Sequence, residues 1–409
     1  MAAELKSSTQ SRNCNKKPKP ILISKLDLPG DSIYSAVFIP HEDSVITVSS
    51  DKSIRVWIQR QNGQFWPSIC HYMPEAGTCL DYNKESGKVF VGLSNGTIQE
   101  YSLSDDCNKL NLVRNYIAHN KRVRSIVYAL DYNWLLSCSN DKQFQWHCTK
   151  TGKRIGGYTA KASCTCLQFD MTSSYAFMGD FSGEIHVLKL SEDGLKPITV
   201  LKGHSGSVQC LTWDAEKKWL YSGSFDKSVI VWDIGGQKGS AVELHGHLSR
   251  VRSIGLASHA DRLFSVGDDQ DLTVWNTRSE RKETPTWSQS DMCEKCASPF
   301  FWNFKQMWDQ RIVGVRQHHC RRCGRAVCHN CSDKTSVLPQ MGYEFDVRLC
   351  EECYDKIEDE EKISTSTFHD LKHGIAHLNI DLSKSRMLTC GVDNMVKIWD
   401  IRELLDEGR

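Results

Sequence analysis

The sequence lacks long apolar runs and an excess of charge of either sign. No hydrophobic stretch approaches the roughly 18 residues that a membrane-spanning helix needs, and the N-terminal M-A-A-E-L-K-S-S-T-Q has no apolar core of a secretory signal. The 51 lysine and arginine residues balance 50 aspartate and glutamate residues, which gives a formal net charge of +1. Because no global field attracts nucleic acid, any anion must be recognised locally. We therefore expect a cytosolic protein without a transmembrane segment.

Cysteine, in contrast, is abundant, with 18 residues in the chain. Eight of them form four C-x-x-C pairs, which are Cys293/Cys296, Cys320/Cys323, Cys328/Cys331 and Cys350/Cys353. The other cysteines are scattered and are interpreted as small buried hydrophobic residues. Because thiols stay reduced in the cytosol, paired cysteines indicate metal binding rather than disulfides.

Most of the remaining chain is a repeat. Its unit is a polar turn with an aspartate, followed by an alternating, β-rich run that ends in tryptophan. Clear copies are S-S-D-K-S-I-R-V-W (49–57), S-F-D-K-S-V-I-V-W (224–232), G-D-D-Q-D-L-T-V-W (267–275) and G-V-D-N-M-V-K-I-W (391–399), and weaker ones lie at 93–101, 139–146 and 179–188. The closing residues are 42 to 45 residues apart as far as Trp275, but Trp399 follows only after 124. This gap holds about 80 extra residues, enough for one small domain, and contains all four cysteine pairs.

The repeat resembles the WD-repeat β-propeller family, whose G-H and W-D pairs occur here at Gly246-His247 and Trp232-Asp233. This resemblance implies an all-β fold, a propeller of seven four-stranded blades. The extended segment 18–26 lies upstream of the first blade. We expect it to supply the outer strand of the seventh blade and so to close the ring.

The same resemblance implies structural tetrads of His, Ser, Asp and Trp. These are His204, Ser222, Asp226 and Trp232 in blade 5, and His247, Ser265, Asp269 and Trp275 in blade 6. In blade 7 the register places Leu371 at the histidine position, with His369 and His373 two residues to either side. A hydrolase triad is the alternative, but the set recurs from blade to blade and has no nucleophile elbow. Buried hydrogen bonds that join strands are therefore favoured.

The spacing of the cysteine pairs predicts two metal sites. The pairs are separated by 23, four and 18 residues, and the four-residue gap is too short for the second and third pairs to share one ion. Alternating pairs give two tetrahedral zinc sites, Cys293, Cys296, Cys328 and Cys331 at one, and Cys320, Cys323, Cys350 and Cys353 at the other. Neither site leaves a coordination position open, so both zinc ions should be structural.

With cysteines as the ligands, the basic run R-Q-H-H-C-R (316–321) is left free for another role. This run and the later Arg348-Leu349-Cys350 resemble motifs of the FYVE zinc-finger family. Two positions depart from the family pattern. Gln317 replaces a second basic residue, and Asp291 follows Trp287 by four residues rather than three.

The resemblance implies the headgroup of phosphatidylinositol 3-phosphate as the ligand. Its phosphate suits guanidinium groups and imidazole donors, and Asp291 would reach the inositol hydroxyls. The implied headgroup-binding residues are Arg316, His318, His319, Arg321, Arg348 and Asp291.

Next to the basic run lies R-I-V-G-V (311–315), a loop that the family inserts into bilayers. The resemblance maps the inserting residues onto Ile312 and Val313, with packing inside the finger as the alternative. For the preceding aromatic insert, P-F-F-W-N-F-K-Q-M-W (299–308), docking against the propeller or a local core is favoured over a second membrane wedge, because aromatic clusters are usually buried.

Together these features predict a seven-bladed WD-repeat propeller with a small two-zinc FYVE-type finger inserted between blades 6 and 7. The predicted division is a disordered N-terminus (1–17), closing strand and blades 1–6 (18–283), the finger (284–357), and a linker with blade 7 (358–402). The combination resembles WD repeat and FYVE domain-containing proteins. It implies a non-enzymatic adaptor at early endosomes, whose propeller docks signalling kinases or vesicle-trafficking components. A RING-like ubiquitin ligase module is the alternative, although such modules usually contain a histidine ligand and lack H-H-C-R. A nucleic-acid-binding finger is disfavoured by the neutral charge.

Overall fold

Short β-strands separated by polar turns make up most of the chain. The computed structural model describes residues 18–28, 32–236 and 240–406, so the predicted disorder of residues 1–17 lies outside the described part. The strands are rich in β-branched and aromatic residues, whose side chains fill the space between neighbouring sheets. No helix among the described residues is long and apolar enough to cross a bilayer.

The turn aspartate, replaced by Asn95 in the second repeat, shapes a tight hairpin. In the first repeat Asp51 Oδ1 accepts a hydrogen bond from the Ser53 backbone N–H at 3.0 Å, a local bond typical of Asx turns. Lys52, between them, lies in the left-handed region with φ of 64°. In the weaker second repeat this position is Gly96, with φ of 96°, a conformation that glycine adopts without steric cost.

The first strand is followed in chain order by five blades. Each of these blades has four antiparallel strands of its own. The first strand is β1 (Ile21–Asp27). Blade 1 comprises β2 (Ile33–Ile39), β3 (Ser44–Ser49), β4 (Ser53–Gln59) and β5 (Phe65–Tyr72). Blade 2 comprises β6 (Gly77–Asn83), β7 (Lys88–Leu93), β8 (Thr97–Leu103) and β9 (Leu110–Ile117). Blade 3 comprises β10 (Val123–Ala129), β11 (Trp134–Ser139), β12 (Gln143–Cys148) and β13 (Arg154–Thr159).

The next two complete blades have the same order. Blade 4 comprises β14 (Cys164–Asp170), β15 (Tyr175–Asp180), β16 (Glu184–Ser191) and β17 (Gly194–Lys202). Blade 5 comprises β18 (Val208–Asp214), β19 (Trp219–Ser224), β20 (Ser228–Asp233) and β21 (Ala241–His245). Blade 6 starts with β22 (Val251–Ala257), the 3-10 helix Ser258–Ala260, β23 (Arg262–Gly267) and β24 (Asp271–Asn276).

The chain then leaves blade 6 to form the finger. The finger contains α1 (Phe304–Gln310), β25 (His318–His319), β26 (Ala326–Val327), β27 (Thr335–Leu338), the 3-10 helix Pro339–Met341, β28 (Tyr343–Arg348) and α2 (Glu351–Asp355). After the 3-10 helix Asp359–Lys362 the chain returns as β29 (Ser366–Asp370), which pairs with β24. Blade 7 comprises β30 (Ile375–Asp381), β31 (Arg386–Gly391) and β32 (Met395–Asp400), followed by α3 (Arg402–Asp406).

The all-β, seven-bladed propeller predicted from the sequence is confirmed, and β1 pairs antiparallel with β32 to complete blade 7 as predicted. The insertion point differs from the predicted junction between blades 6 and 7. Because β29 is the fourth strand of blade 6, the finger interrupts that blade between its third and fourth strands. Residues 358–402 therefore contribute to blades 6 and 7 rather than to blade 7 alone.

The predicted tetrads are present as buried hydrogen-bond networks. In blade 5, Ser222 Oγ lies 2.7 Å from His204 Nε2 and accepts from Trp232 Nε1 at 2.8 Å, while His204 Nδ1 lies 2.9 Å from Asp226. Blade 6 has the same arrangement around Ser265. These bonds link two neighbouring strands, the turn between them and the loop before the blade, so the residues stabilise the fold.

Blade 7 completes its tetrad with His373. The Nε2 of this histidine is 2.8 Å from Thr389 Oγ1, which also accepts from Trp399 Nε1 at 2.9 Å. Leu371, which the repeat register placed at this position, packs in the apolar core between blades 6 and 7. The blade 7 network is therefore equivalent to those of blades 5 and 6.

The finger packs edge-on against blade 5. Strand β28 begins parallel to β21, where the His245 N–H donates to the Gly342 carbonyl at 2.7 Å. The rings of His245 and Tyr343 stack with centroids 4.8 Å apart. Gly342 has φ of 81°, and a Cβ at this position would overlap the carbonyl oxygen of Glu243. This contact extends blade 5 by β28 and β27 and covers its outer edge.

Candidate functional site

The eight paired cysteines form two compact clusters, in the alternating arrangement that their spacing predicts. The four sulfur atoms of each cluster all lie within 4.8 Å of one another. The clusters are Cys293, Cys296, Cys328 and Cys331, and Cys320, Cys323, Cys350 and Cys353. None of the cysteines in the described residues is in a disulfide.

The sulfur separations fit zinc. Cys296 Sγ lies 3.7 Å from Cys328 Sγ, and Cys323 Sγ lies 3.9 Å from Cys350 Sγ. A tetrahedron with Zn–S bonds of about 2.3 Å has edges of about 3.8 Å. Four thiolates also saturate a tetrahedral ion, so each cluster suits a structural zinc ion without a fifth ligand.

Tight turns hold the ligands in place. The Gly324 N–H donates to the Cys320 carbonyl at 2.8 Å in a turn where Gly324 has φ of 74°. Ser332 Oγ donates to the Cys328 carbonyl at 2.7 Å. Cys350 is the N-cap residue of α2, whose first turn carries Cys353. Each C-x-x-C pair thus presents both sulfur atoms to the same side of its turn.

The basic run lies on a short hairpin between the two clusters. His318 and His319 form β25, which pairs with Ala326 and Val327 in β26. The Arg321 N–H donates to the Arg348 carbonyl at 3.0 Å, which brings the two predicted arginines together. The hairpin therefore presents the predicted cationic residues on one part of the finger.

One group of these side chains lies against an indole ring. The Arg321 guanidinium carbon is 4.5 Å from the centroid of Trp287, and the imidazole of His319 stacks on Trp287 at 4.8 Å with an interplanar angle of 14°. His319 Nε2 lies 3.0 Å from the Ser288 carbonyl oxygen. An aromatic face attracts cations and keeps both side chains in a fixed position.

This cluster borders an open cavity of about 590 Å³. The cavity is lined by Trp287, Ser288, Gln289, Ser290, Asp291, Trp302, Gln317 and His319. Asp291 Oδ1 accepts from Trp302 Nε1 at 2.9 Å, so the carboxylate has an ordered position on the wall. Gln317 Nε2 donates to the Ser290 carbonyl at 3.4 Å, so the residue that replaces a basic one also lines the cavity.

The remaining predicted cations surround His318. Arg348 Nη1 lies 3.2 Å from His329 Nδ1, and the rings of His318 and His329 are 6.4 Å apart. Partial burial, together with the positive charges of Arg348 and Arg316, holds the pKa of His318 below its usual value. Arg316 itself is exposed. This side of the hairpin has a surplus of positive charge that an anion would neutralise.

The two residues of the predicted membrane loop are exposed. The side chain of Val313 is 79% exposed and that of Ile312 is 43% exposed, so neither belongs to the core of the finger. The aromatic insert differs from the prediction of a docked or core cluster. Phe300 is fully buried, but Phe301, Trp302, Phe304 and Trp308 are exposed.

Comparison with known families agrees with the geometry. The sequence profile of the FYVE zinc finger matches residues 285–359. The profile of the WD domain, G-beta repeat, matches residues 22–57, 110–145, 195–233, 239–276 and 362–400. The chain is 47% identical over 401 residues to human WD repeat and FYVE domain-containing protein 2, a match that covers 98% of this chain and 99% of the relative.

The chain belongs to the family of WD repeat and FYVE domain-containing proteins. Mouse WD repeat and FYVE domain-containing protein 1 is 46% identical, with 98% of this chain and 96% of the relative covered. Protein 2 of Caenorhabditis elegans is 38% identical, with 94% of each chain covered. The finger thus binds two zinc ions as a FYVE zinc finger.

A solved structure shares the propeller fold. The WD40 β-propeller domain of Doa1 superimposes with a TM-score of 0.63 at 15% identity, over 94% of this chain and 98% of that chain. At this identity the likeness concerns the fold alone.

The structure brings together most of the residues that the sequence singled out and adds a few others. His319 and Asp291 line the cavity and Arg321 contacts Trp287 on its wall, whereas Arg348 and His318 lie towards His329. Sequence reasoning did not assign Trp302 to the site, because its neighbours suggested a buried aromatic cluster. Nor did it assign Gln317, because the family pattern has a basic residue there.

Proposed function

We propose that the finger binds the headgroup of phosphatidylinositol 3-phosphate and holds the chain on the cytosolic face of early endosomes. In this role the protein is an adaptor without catalytic activity, and the propeller docks protein partners such as signalling kinases or vesicle-trafficking components. FYVE and WD-repeat family membership supports the lipid-binding adaptor class.

The observation that carries the proposal is the position of Arg321 and His319 on Trp287 at the edge of the cavity. A phosphomonoester dianion pairs well with a guanidinium fork and an imidazole donor. Asp291, on the cavity wall, supplies an acceptor for inositol hydroxyls. The proposed contacts are Arg316, His318, His319, Arg321 and Arg348 to phosphate, and Asp291 to the ring.

Attachment of the finger to the propeller supports the adaptor role. Residues on both sides of the finger are strands of blade 6, and β28 adds to blade 5. The propeller is therefore held in one orientation relative to the lipid-binding surface of the finger. The same face of the propeller would always point to the cytosol.

The test is a vesicle sedimentation panel with the full chain. Phosphatidylcholine vesicles would carry phosphatidylinositol or one of its monophosphates, and we expect preferential binding to the 3-phosphate. Arg321→Ala should abolish this binding and retain both zinc ions. The control is Arg278→Ala, because Arg278 is a highly exposed arginine on the chain leading to the finger. Equal binding to all vesicles, or unchanged binding of Arg321→Ala, would refute the proposal.

A further inference from the structure

The aromatic insert carries an exposed apolar face on α1. Phe304 is 73% exposed and Trp308 is 86% exposed. They are four positions apart in the helix, one turn, so both side chains project from the same face. Single exposed apolar residues are common on protein surfaces, whereas a contiguous apolar patch marks a binding surface.

The helix is coupled to the loop of Ile312 and Val313 by its C-terminal cap. Arg311 has φ of 53°, its N–H donates to the Trp308 carbonyl at 3.3 Å, and the Ile312 N–H donates to the Met307 carbonyl at 3.2 Å. These two bonds make a Schellman motif. The motif fixes the direction of the loop relative to α1, so the exposed residues of both belong to one surface.

The base of this surface is fixed to the finger. Phe300 is fully buried, and β-like backbone bonds join Val315 to Pro299 at 2.9 Å and Phe301 to Val315 at 3.2 Å. A Cβ on Gly314 would lie 2.9 Å from Met307 Sδ, so the loop packs closely on the helix. The exposed apolar residues are therefore carried by an ordered scaffold rather than by a loose loop.

The surface is continuous with the proposed headgroup site. Trp302, from the start of the insert, lines the cavity through its bond to Asp291, and Val313 is followed within three residues by Arg316. Lys305 and Arg311 are exposed beside the aromatic face. Apolar residues next to cations and a phosphate site match an anionic bilayer, where aromatic rings occupy the interface and cations meet the headgroups.

We propose that α1 is a second bilayer-binding site, with Phe304 and Trp308 entering the interface together with Ile312 and Val313. This inference rests on the proposed lipid-binding function and deepens it. A single apolar loop binds a bilayer only marginally, and the aromatic face adds the area that a chain with one finger needs.

The test measures binding of the full chain to two forms of the same lipid. Phosphatidylcholine vesicles containing phosphatidylinositol 3-phosphate report bilayer binding, and a soluble short-chain analogue reports headgroup binding alone. We expect Phe304→Ala and Trp308→Ala each to lower vesicle affinity about tenfold and the double variant about a hundredfold. Affinity for the soluble analogue should not change.

Two matched controls remove an exposed aromatic side chain from the propeller. Trp66 is 53% exposed and Phe181 is 63% exposed, and Trp66→Ala and Phe181→Ala should bind vesicles like the wild type. Trp308→Phe should keep much of the affinity. In vesicles of brominated lipid, the tryptophan fluorescence of the wild type should be partly quenched. Trp308→Phe should show less quenching, because it lacks the tryptophan that enters the bilayer.

The outcomes separate this inference from the proposed function. If the wild type binds neither vesicles containing phosphatidylinositol 3-phosphate nor the soluble analogue, the proposed function and this inference both fail. If the wild type binds vesicles and the α1 variants bind them equally well, α1 does not touch the bilayer and only this inference fails. Equal losses for vesicles and soluble analogue would assign the two residues to support of the headgroup site and would also overturn it.

Discussion

The guanidinium of Arg321 lies over the indole of Trp287, with 4.5 Å between the guanidinium carbon and the ring centroid. The two residues are far apart in sequence and come from opposite sides of the first cysteine pair. This contact fixes the position of the Arg321 guanidinium at the edge of the cavity. Trp287 therefore acts as a positioning residue for Arg321 and, through stacking, for His319.

Replacing the indole should weaken headgroup binding without removing any direct phosphate contact. We expect Trp287→Ala to lower affinity for soluble phosphatidylinositol 3-phosphate about three- to tenfold, the effect of losing a partly exposed cation–π contact. Trp287→Phe should recover part of the loss. Titration calorimetry measures both, with zinc content as the check on folding. Equal affinities for wild type and Trp287→Ala would exclude the positioning role.

Zinc should be required by the finger and not by the propeller. Elemental analysis is expected to find two zinc ions per chain, and Cys320→Ser should lose at least one. Cys70→Ser, at an exposed propeller cysteine, serves as the control and should keep both. After chelation, protease should cut within the finger while the ring persists, because the blades are held by β-pairing and apolar cores. Loss of the whole ring on chelation would contradict this.

The blade 7 tetrad gives a paired test of two neighbouring histidines. His373→Leu should lower the free energy of unfolding by about 2–3 kcal/mol, because Thr389 and Asp393 lose their partner in a buried network. His369→Leu should cost less, since the side chain of His369 is half-buried and its one side-chain hydrogen bond among the described residues is to Thr367. Chemical denaturation compares the two variants. The reverse ranking would assign the tetrad to His369.

Acid should destabilise the propeller through His147. Burial, with the nearby charges of His119 and Arg154, lowers the pKa of His147 to about 4. An unfolded histidine has a pKa near 6.5. The stability from neutral His147 is therefore complete above pH 6.5 and is lost as the pH falls from there towards 4.

The measurement compares unfolding at pH 7.5 and pH 5.5. His147 should account for about 1 kcal/mol of the wild-type loss across this interval. His147→Phe, which keeps a ring against Tyr116, should show a smaller loss. His259→Gln, at an exposed histidine, should behave like the wild type. Identical losses in wild type and His147→Phe would show that this imidazole does not titrate on unfolding.

Features with a local chemical signature could be predicted from the sequence. The Asp turns and the alternating runs ending in tryptophan give seven blades, because each hairpin is specified by its own residues. The cysteine spacing excludes an ion shared by the second and third pairs, and the alternating ligand sets predicted from it are those found in the structure. The headgroup and membrane-loop roles of Arg316 and Val313 stay predictions.

Three features needed the three-dimensional structure. The outer strand of each blade has no fixed motif, so nothing in 276–366 showed that β29 belongs to blade 6. His373 lies two residues closer to its threonine than the other tetrad histidines lie to their serines, with separations of 16 and 18 residues. Counting 18 residues back from Thr389, the separation found in the other blades, therefore gives Leu371 instead of His373. The exposure of Trp308 was not predicted either, because aromatic clusters are usually buried in cores.

Interruption of blade 6 has a consequence for synthesis of the chain. On the ribosome, β22, β23 and β24 emerge with an unpaired edge, and their fourth strand appears only after the entire zinc-binding segment. β32, the partner of β1, emerges later still, because it is the last strand among the described residues. Both seams of the ring thus close only after the metal ligands have been synthesised. A finger that folds slowly for lack of zinc would delay the pairing of β29 with β24, and open β edges are prone to aggregation and to capture by chaperones.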